Sequence, residues 1–213
     1  MILTLLALTL ASFTIALVGA VIPGPVFAVT VAESMRRGSI AGPLIAIGHF
    51  LVEVVIIVAA FFGLESLLKL EATRIGLGYF GGVALILMGI YFIKNVGKNG
   101  ENLKNGKNRN TFLHTPVFSG ALASCSNPYF FLWWVTPGLP LMFKSLEVAG
   151  LTGFIFFYIG HSLADLSWFS FVSYSTHKSK KVLNKKAVEK IIFGGAIFLI
   201  VLGIYFIYSV LIL

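Results

Sequence analysis

The feature that most constrains the fold of this chain is a series of apolar blocks, each roughly 18 to 25 residues long. A helix of about 20 residues crosses the hydrocarbon core of a bilayer. The 213 residues are 58% hydrophobic and 11% charged, whereas a soluble domain carries about 25% charged residues. Because backbone polar groups must be satisfied within the chain in lipid, the blocks are expected to be helices. The sequence therefore predicts an all-α membrane protein.

Six membrane-spanning helices are predicted, and the first helix of each half is broken at proline. Residues 1–22 form the first span, which Pro23-Gly24-Pro25 separates from a short apolar segment. No basic residue precedes this first run, so it is expected to stay in the mature fold rather than act as a cleaved signal peptide. The pair Asn127-Pro128 interrupts the fourth span. The other spans are expected at residues 40–63, 76–93, 112–143, 150–174 and 191–213.

Two sequence patterns occur twice, in the same order. The stretch Gly48-His49-Phe50-Leu51-Val52-Glu53 returns as Gly160-His161-Ser162-Leu163-Ala164-Asp165, and an FGG…GIYFI pattern occurs in both the third and the sixth span. Matched patterns in one order indicate an internal repeat. Residues 1–93 and 112–213 would each form a three-helix repeat, joined by a solvated linker at residues 94–111. Since each repeat has an odd number of spans, the two are expected to be inverted relative to each other.

The basic residues lie mainly in the loops on one side of the predicted membrane. Thirteen of the 16 Lys and Arg residues follow spans one, three and five, and only Lys69, Arg74 and Lys144 lie on the opposite side. Basic loops face the cytoplasm, so both termini are predicted to be outside. This topology also accounts for the net charge of +8, and no basic domain suggests nucleic-acid binding.

Each copy of the repeated motif places a histidine and a carboxylate on one face of a helix, four residues apart. Ionisable residues at mid-depth in a membrane are expensive and usually mark a functional site. Glu53 and Asp165 could bind an ammonium group, carry protons, or do both in alternation. His49 and His161 could pass protons to these acids. The alternative is that all four side chains only hold neighbouring helices together.

The same four side chains could instead bind a divalent metal ion, since two imidazoles and two carboxylates make a four-ligand set. The proline breaks suggest a further binding element. A helix that restarts after Pro25 or Pro128 presents its N-terminal amides to an anion such as a carboxylate, and Asn127 can donate and accept hydrogen bonds there. The alternative is a simple kink. Trp133 and Trp134 could line a pocket, although tryptophans in membrane proteins more often lie at the bilayer interface.

No catalytic or cofactor-binding motif occurs in the sequence. There is no nucleotide-binding loop, nucleophile elbow or HExxH motif, so neither coupling to ATP on this chain nor hydrolysis is predicted. The single cysteine, Cys125, cannot form an internal disulfide. The chain is therefore not predicted to be an enzyme or to need a cofactor.

The ordered set of motifs resembles the LysE/RhtB family of amino-acid exporters. The resemblance covers nearly the whole chain and rests on Pro23-Gly24-Pro25, Arg36-Arg37-Gly38, Glu53, Asn127-Pro128 and Asp165. It implies export of amino acids or similar small solutes across the cytoplasmic membrane, driven by the proton motive force, often as a dimer. Two other functions stay open on the residues alone: a divalent-metal exporter, and a membrane scaffold that transports nothing.

Overall fold

The computed structural model describes residues 1–63, 71–95, 115–180 and 185–211, and these residues form helices and no β-strand. Most of the predicted linker at 94–111 lies outside the described residues. A short π-helical segment at Trp134–Gly138 lies between the helices Pro128–Trp133 and Leu139–Lys180. The eight α-helices described are α1 (Ile2–Val21), α2 (Pro25–Arg37), α3 (Ala41–Phe61), α4 (Glu71–Asn95), α5 (Pro116–Cys125), α6 (Pro128–Trp133), α7 (Leu139–Lys180) and α8 (Lys185–Leu211).

Four helical stretches in the described parts of the chain are long and apolar enough to cross a membrane: Ile2–Val21, Ala41–Phe61, Pro128–Ser179 and Glu189–Leu211. The third has 52 residues, far more than one crossing needs. Its helical conformation is interrupted at Ala149 and at Gly150, where φ is 57°. Gly78–Lys94 and Pro116–Cys125 are shorter apolar helices. The prediction of an all-α membrane protein is confirmed, and the count of six spans stays a prediction.

Both proline sites lie where one helix ends and another begins. α1 ends at Val21, the backbone at Gly24 is extended (φ −143°), and Pro25 opens α2. Proline suits this first helical position because its missing N–H would have no partner there in any case. α5 ends at Cys125, and Pro128 opens α6 in the same way. α2 therefore begins at a buried proline, whereas the start of α6 is partly exposed.

The helices that carry the repeated histidines each pack on a helix from the other half of the chain. α1 lies along α7, where the hydroxyl of Ser12 donates to the carbonyl of Phe157 at 2.7 Å. α5 lies along α3, and a Cβ atom on Gly120 would overlap the carbonyl of Ile45. α4 lies along α8, where a Cβ atom on Gly82 would come within 2.6 Å of the Gly203 carbonyl oxygen.

Two apolar clusters hold these helices together. One is built mainly by α2, α4 and α8 and includes Val29, Leu85 and Leu199. The other lies around the π-helical segment and includes Trp134 and Phe157. Side chains from both clusters contact the polar residues of the repeated motif, so those residues lie between the two apolar regions.

The end of α2 carries a buried acid that the sequence analysis did not single out. The side chain of Glu33 is 2% exposed. It accepts hydrogen bonds from Arg36 Nη1 at 2.8 Å and from Arg37 Nε at 2.6 Å. The guanidinium of Arg36 also lies over the rings of Tyr91 and Phe92, 5.8 and 5.9 Å from their centres. These contacts fix the end of α2 against α4.

Candidate functional site

The two repeated motifs meet in the interior of the protein. α3 carries His49 and Glu53 on one face, and α7 carries His161 and Asp165 on one face, because residues four apart in a helix lie one turn above each other. All four residues are buried, and the Glu53 side chain has no exposed surface. We call these four residues the His/acid cluster.

Each imidazole of the cluster lies between the two carboxylates. His49 Nε2 is 3.3 Å from Glu53 Oε1 and 3.7 Å from Asp165 Oδ2. His161 Nε2 is 3.3 Å from Asp165 Oδ2 and also pairs with Glu53 Oε1. Carboxylates away from water are strongly unfavourable unless they are paired. The pairing across α3 and α7 therefore stabilises both acids where neither helix alone could.

The surroundings of the two histidines differ. His49 Nδ1 is 2.7 Å from the hydroxyl of Ser124, a fully buried residue of α5. His161 Nδ1 is also buried, but it has no hydrogen-bond partner among the described residues. The His161 ring packs against Trp133 and Trp134, whose ring centres are 4.8 and 5.3 Å away. Both histidines thus pack against aromatic rings, and they differ in whether Nδ1 has a hydrogen-bond partner among the described residues.

The cluster borders a cavity of about 460 Å³. Both helix breaks reach this cavity, since Pro23, Gly24, Pro25 and Asn127 line it together with the four residues of the cluster. The breaks lie side by side, because a Cβ atom on Gly24 would be 3.9 Å from Asn127 Nδ2. Of the residues that the sequence analysis singled out for binding, only Pro128 is not part of the cavity wall.

The two breaks present different helix ends to the cavity. The side-chain oxygen of Asn127 accepts a hydrogen bond from the Tyr129 amide at 3.1 Å and so caps α6. α2 has no side-chain cap, and its first residues, Pro25, Val26 and Phe27, line the cavity. An uncapped helix N-terminus carries partial positive charge and favours an anion.

Aromatic side chains form much of the remaining wall. Trp133 and Trp134 both belong to it, and Trp134 is fully buried. The expectation that this pair could line a pocket therefore agrees with the structure. Other wall residues that the sequence analysis did not identify are Phe27, Tyr129, Phe130, Phe169, Leu202 and Phe206. Nothing in the sequence distinguishes these residues from ordinary core or lipid-facing residues.

The chemistry of the cavity favours a small ligand with a positive group. His49, Glu53 and Asp165 each offer one atom, and the three atoms lie within 4.8 Å of one another. An ammonium group or a divalent cation with a preference for nitrogen and oxygen ligands would fit this set. Apolar walls with a few convergent polar groups are typical of small-molecule sites.

The chain matches a known protein family over most of its length. The model of the LysE type translocator family matches residues 17–210, nearly the whole chain. The chain belongs to the LysE type translocator family. Members of this family are transporters rather than enzymes, so this LysE-type chain is a multi-pass membrane transporter. The resemblance noted from the sequence motifs is thereby confirmed.

Two curated relatives are similar to this LysE-type chain. A Bacillus subtilis protein named "Putative amino acid efflux protein YcgF" is 23% identical over 186 residues, which cover 87% of this chain and 88% of that protein. A Pseudomonas aeruginosa protein, "Uncharacterized membrane protein PA4757", is 31% identical over 127 residues, which cover 55% of this chain and 59% of that protein. No solved structure matches the chain.

Proposed function

We propose that this LysE-type transporter exports amino acids in exchange for protons. The observation that carries the proposal is the buried His/acid cluster on the wall of a cavity of about 460 Å³. An amino acid has an ammonium group and a carboxylate a short distance apart, and the cavity offers groups that complement both. The similarity to a Bacillus protein named for amino acid efflux supports the same substrate class and direction.

The ammonium group of the substrate would bind at Glu53 and Asp165. Both carboxylates are already paired with His49 and His161, so an incoming cation must compete with protons held on the cluster. This competition couples the substrate to protons, because the cluster favours one kind of positive charge at a time. His49 and His161 would pass the protons to and from the acids.

The carboxylate of the substrate would bind at the start of α2. The α6 N-terminus is capped by Asn127, whereas α2 has no side-chain cap at Gly24. With its oxygen engaged at Tyr129, the Asn127 side chain keeps its Nδ2 group, which lies near Gly24, as a donor for the same carboxylate. The break at Pro23, Gly24 and Pro25 would therefore be an anion site, and Pro128 would serve only to restart α6.

The aromatic wall supports an amino acid with an apolar side chain. Trp133, Phe130 and Phe206 line the cavity beyond the His/acid cluster, and among the described residues no carboxylate other than Glu53 and Asp165 lines it. A second charged group on the substrate would lose its hydration against this wall without gaining a partner. We therefore rank leucine-like and aromatic amino acids above basic ones as substrates.

An inverted three-plus-three repeat, with units at residues 1–93 and 112–213, is supported by matched contacts. A Cβ atom on Gly48 would overlap the carbonyl of Val117, and one on Gly160 would overlap the carbonyl of Thr9. The two interfaces also match one turn before each histidine. On α7, Ser12 contacts Phe157, four residues before His161. On α3, Gly120 contacts Ile45, four residues before His49. Each half thus receives a broken first helix from the other half, as expected for a two-fold axis between inverted repeats.

In a cell membrane, the basic loops would face the cytoplasm and both termini would lie outside. A homodimer stays a prediction from the family resemblance. Gly82, Gly89 and Gly203, whose faces could in principle serve such a dimer, pack α4 against α8 within one chain.

Export of a divalent metal ion is a second candidate, because His49, Glu53 and Asp165 bring three ligand atoms within 4.8 Å of one another. The metal would be the substrate, and the proline breaks would then play no direct part in binding. The uncapped start of α2 favours an anion, and this feature ranks the amino acid above the metal.

The test is counterflow in proteoliposomes across a pH gradient, with labelled amino acids and divalent metals as probes. Wild type is compared with Glu53→Gln, Asp165→Asn and a matched control, Glu147→Gln, whose side chain is 70% exposed and pairs with Lys144. Proton-dependent amino-acid flux in wild type and the control, lost in both cluster variants, supports the proposal. Metal flux without amino-acid flux would support the second candidate. Unchanged flux in both cluster variants would contradict the role of the carboxylates.

A further inference from the structure

The two histidines of the His/acid cluster occupy matched sequence positions but differ at their second ring nitrogen. His49 Nδ1 lies 2.7 Å from Ser124 Oγ, and the Ser124 hydroxyl also lies 2.8 Å from the carbonyl oxygen of Gly120. Ser12 occupies in α1 the position that Gly120 occupies in α5. Ser124 lies four residues after Gly120, so its counterpart in α1 is Ala16, which has no polar side-chain atom. The different hydrogen-bonding of the two imidazoles follows from this single difference between the repeats.

For His161, this difference favours one tautomer. A proton on the buried Nδ1 atom would be a donor without an acceptor among the described residues, and an unpaired buried donor is unfavourable. The neutral ring therefore holds its proton on Nε2, where it donates to the carboxylate of Glu53. In this tautomer His161 donates to Glu53, and its Nε2 atom offers no lone pair to a ligand while it holds that proton.

For His49, Ser124 makes the opposite tautomer available. When the hydroxyl of Ser124 donates to the Gly120 carbonyl, its oxygen accepts the proton of His49 Nδ1. His49 Nε2 then presents a lone pair, 3.3 Å from Glu53 Oε1 and 3.7 Å from Asp165 Oδ2. The three acceptor atoms lie within 4.8 Å of one another, a spacing that a nitrogen at the usual hydrogen-bond length of about 2.8 Å from each can bridge.

On the basis of the proposed amino-acid export, we propose that His49, Glu53 and Asp165 form a three-acceptor subsite for a primary ammonium group. Ser124 is its positioning residue, because it accepts the Nδ1 proton of His49. A primary ammonium has three N–H donors, one for each acceptor. A secondary ammonium, as in an N-methyl amino acid, has two, so one buried acceptor is left unpaired. The subsite therefore selects primary amino acids over N-methylated ones, and the selection depends on Ser124.

The test compares counterflow of leucine and N-methylleucine in proteoliposomes for wild type, Ser124→Ala and Ser126→Ala. Ser126 is the matched control, because it is also buried and also donates to the carbonyl four residues earlier, at Leu122, without contacting the cluster. Wild type and Ser126→Ala are expected to favour leucine about tenfold, as for one lost hydrogen bond. Ser124→Ala is expected to transport leucine more slowly and to lose most of this preference. Simple steric exclusion of the methyl group would leave the preference intact in Ser124→Ala, and that result would overturn the proposal.

A second measurement separates this inference from the proposed function. Nitrogen NMR of ¹⁵N-histidine-labelled protein, with His49 assigned through His49→Gln, reports which ring nitrogen carries the proton. Bound leucine is expected to give the Nδ1–H form of His49 in wild type and not in Ser124→Ala. If wild type moves no amino acid, the proposed function fails, and the probe becomes methylammonium. An Nδ1–H signal with methylammonium would then still support the subsite, and an Nε2–H signal in wild type with either probe would overturn it.

Discussion

Gly48 lies so close to the carbonyl of Val117 that no Cβ atom fits between α3 and α5. Gly160 has the same relationship with the carbonyl of Thr9, between α7 and α1. Each glycine directly precedes a histidine of the His/acid cluster. The close approach of the helices therefore determines how near each histidine lies to the helix break that borders the cavity.

Replacing either glycine with alanine is expected to destabilise the protein and to reduce transport. The added methyl group must push two helix backbones apart, at a cost of about 1–3 kcal/mol or more. Thermal unfolding in detergent and leucine counterflow measure the two effects. Gly194→Ala is the control, since a Cβ atom there meets nothing within 4 Å. Equal melting temperatures for Gly48→Ala and Gly194→Ala would contradict the close packing of α3 on α5.

Asn127 combines a structural and a binding role that two substitutions can separate. Asn127→Ala removes the cap of α6 and is expected to cost about 1 kcal/mol of stability. Asn127→Asp keeps an acceptor for the Tyr129 amide, so its stability should stay near that of wild type. Its negative charge beside Gly24 should nevertheless weaken binding of a substrate carboxylate and raise the KM for counterflow. Wild-type KM in Asn127→Asp would place the carboxylate elsewhere.

Replacing Glu33 is expected to destabilise the protein more than replacing an exposed acid, because the Glu33 side chain is buried. Its buried carboxylate accepts from Arg36 and Arg37, and hydrogen bonds to charged groups contribute about 1.5–3 kcal/mol. Glu33→Gln should lower the melting temperature clearly. Glu147→Gln, which breaks an exposed pair with Lys144, should change stability by less than about 1 kcal/mol. Similar melting temperatures for the two variants would argue against the buried network.

The predicted orientation can be tested with single cysteines in a Cys125→Ser background. Ser179 and Lys144 are both exposed, and they lie near the predicted ends of the fifth span, which the distribution of basic residues assigns to opposite sides of the membrane. A membrane-impermeant maleimide added to intact cells should label Lys144→Cys, and Ser179→Cys only after the cells are opened. The reverse pattern would invert the topology.

The pairs within each repeated motif could be predicted from the sequence, whereas most of the residues that line the cavity could not. Spacing of four residues places His49 with Glu53 and His161 with Asp165, because helix geometry alone fixes those pairs. Their meeting could be anticipated only through the repeat. The contact of Ser124 with His49 depends on the position of α5 along α3. Close backbone contacts at Gly48 and Gly120 set that position, and no sequence pattern predicts it.

The position of the tryptophan pair shows a different limit. Trp133 and Trp134 line the cavity, and a π-helical segment begins immediately after Trp133. π-Helical turns often occur at functional sites, but they have no simple sequence signature. The local geometry that brings this pair to the cavity could therefore not be predicted from residue type alone.

The His/acid cluster contains as many imidazoles as carboxylates, and this balance has an electrical consequence. Moving one net charge across a membrane is worth about 2.3 kcal/mol per 100 mV of potential. If the substrate enters only when a proton leaves, its ammonium group replaces the charge of that proton, but its carboxylate adds a negative charge at the start of α2. The loaded cavity would then carry one positive charge fewer than the empty one, so export would draw on the membrane potential as well as on the pH gradient.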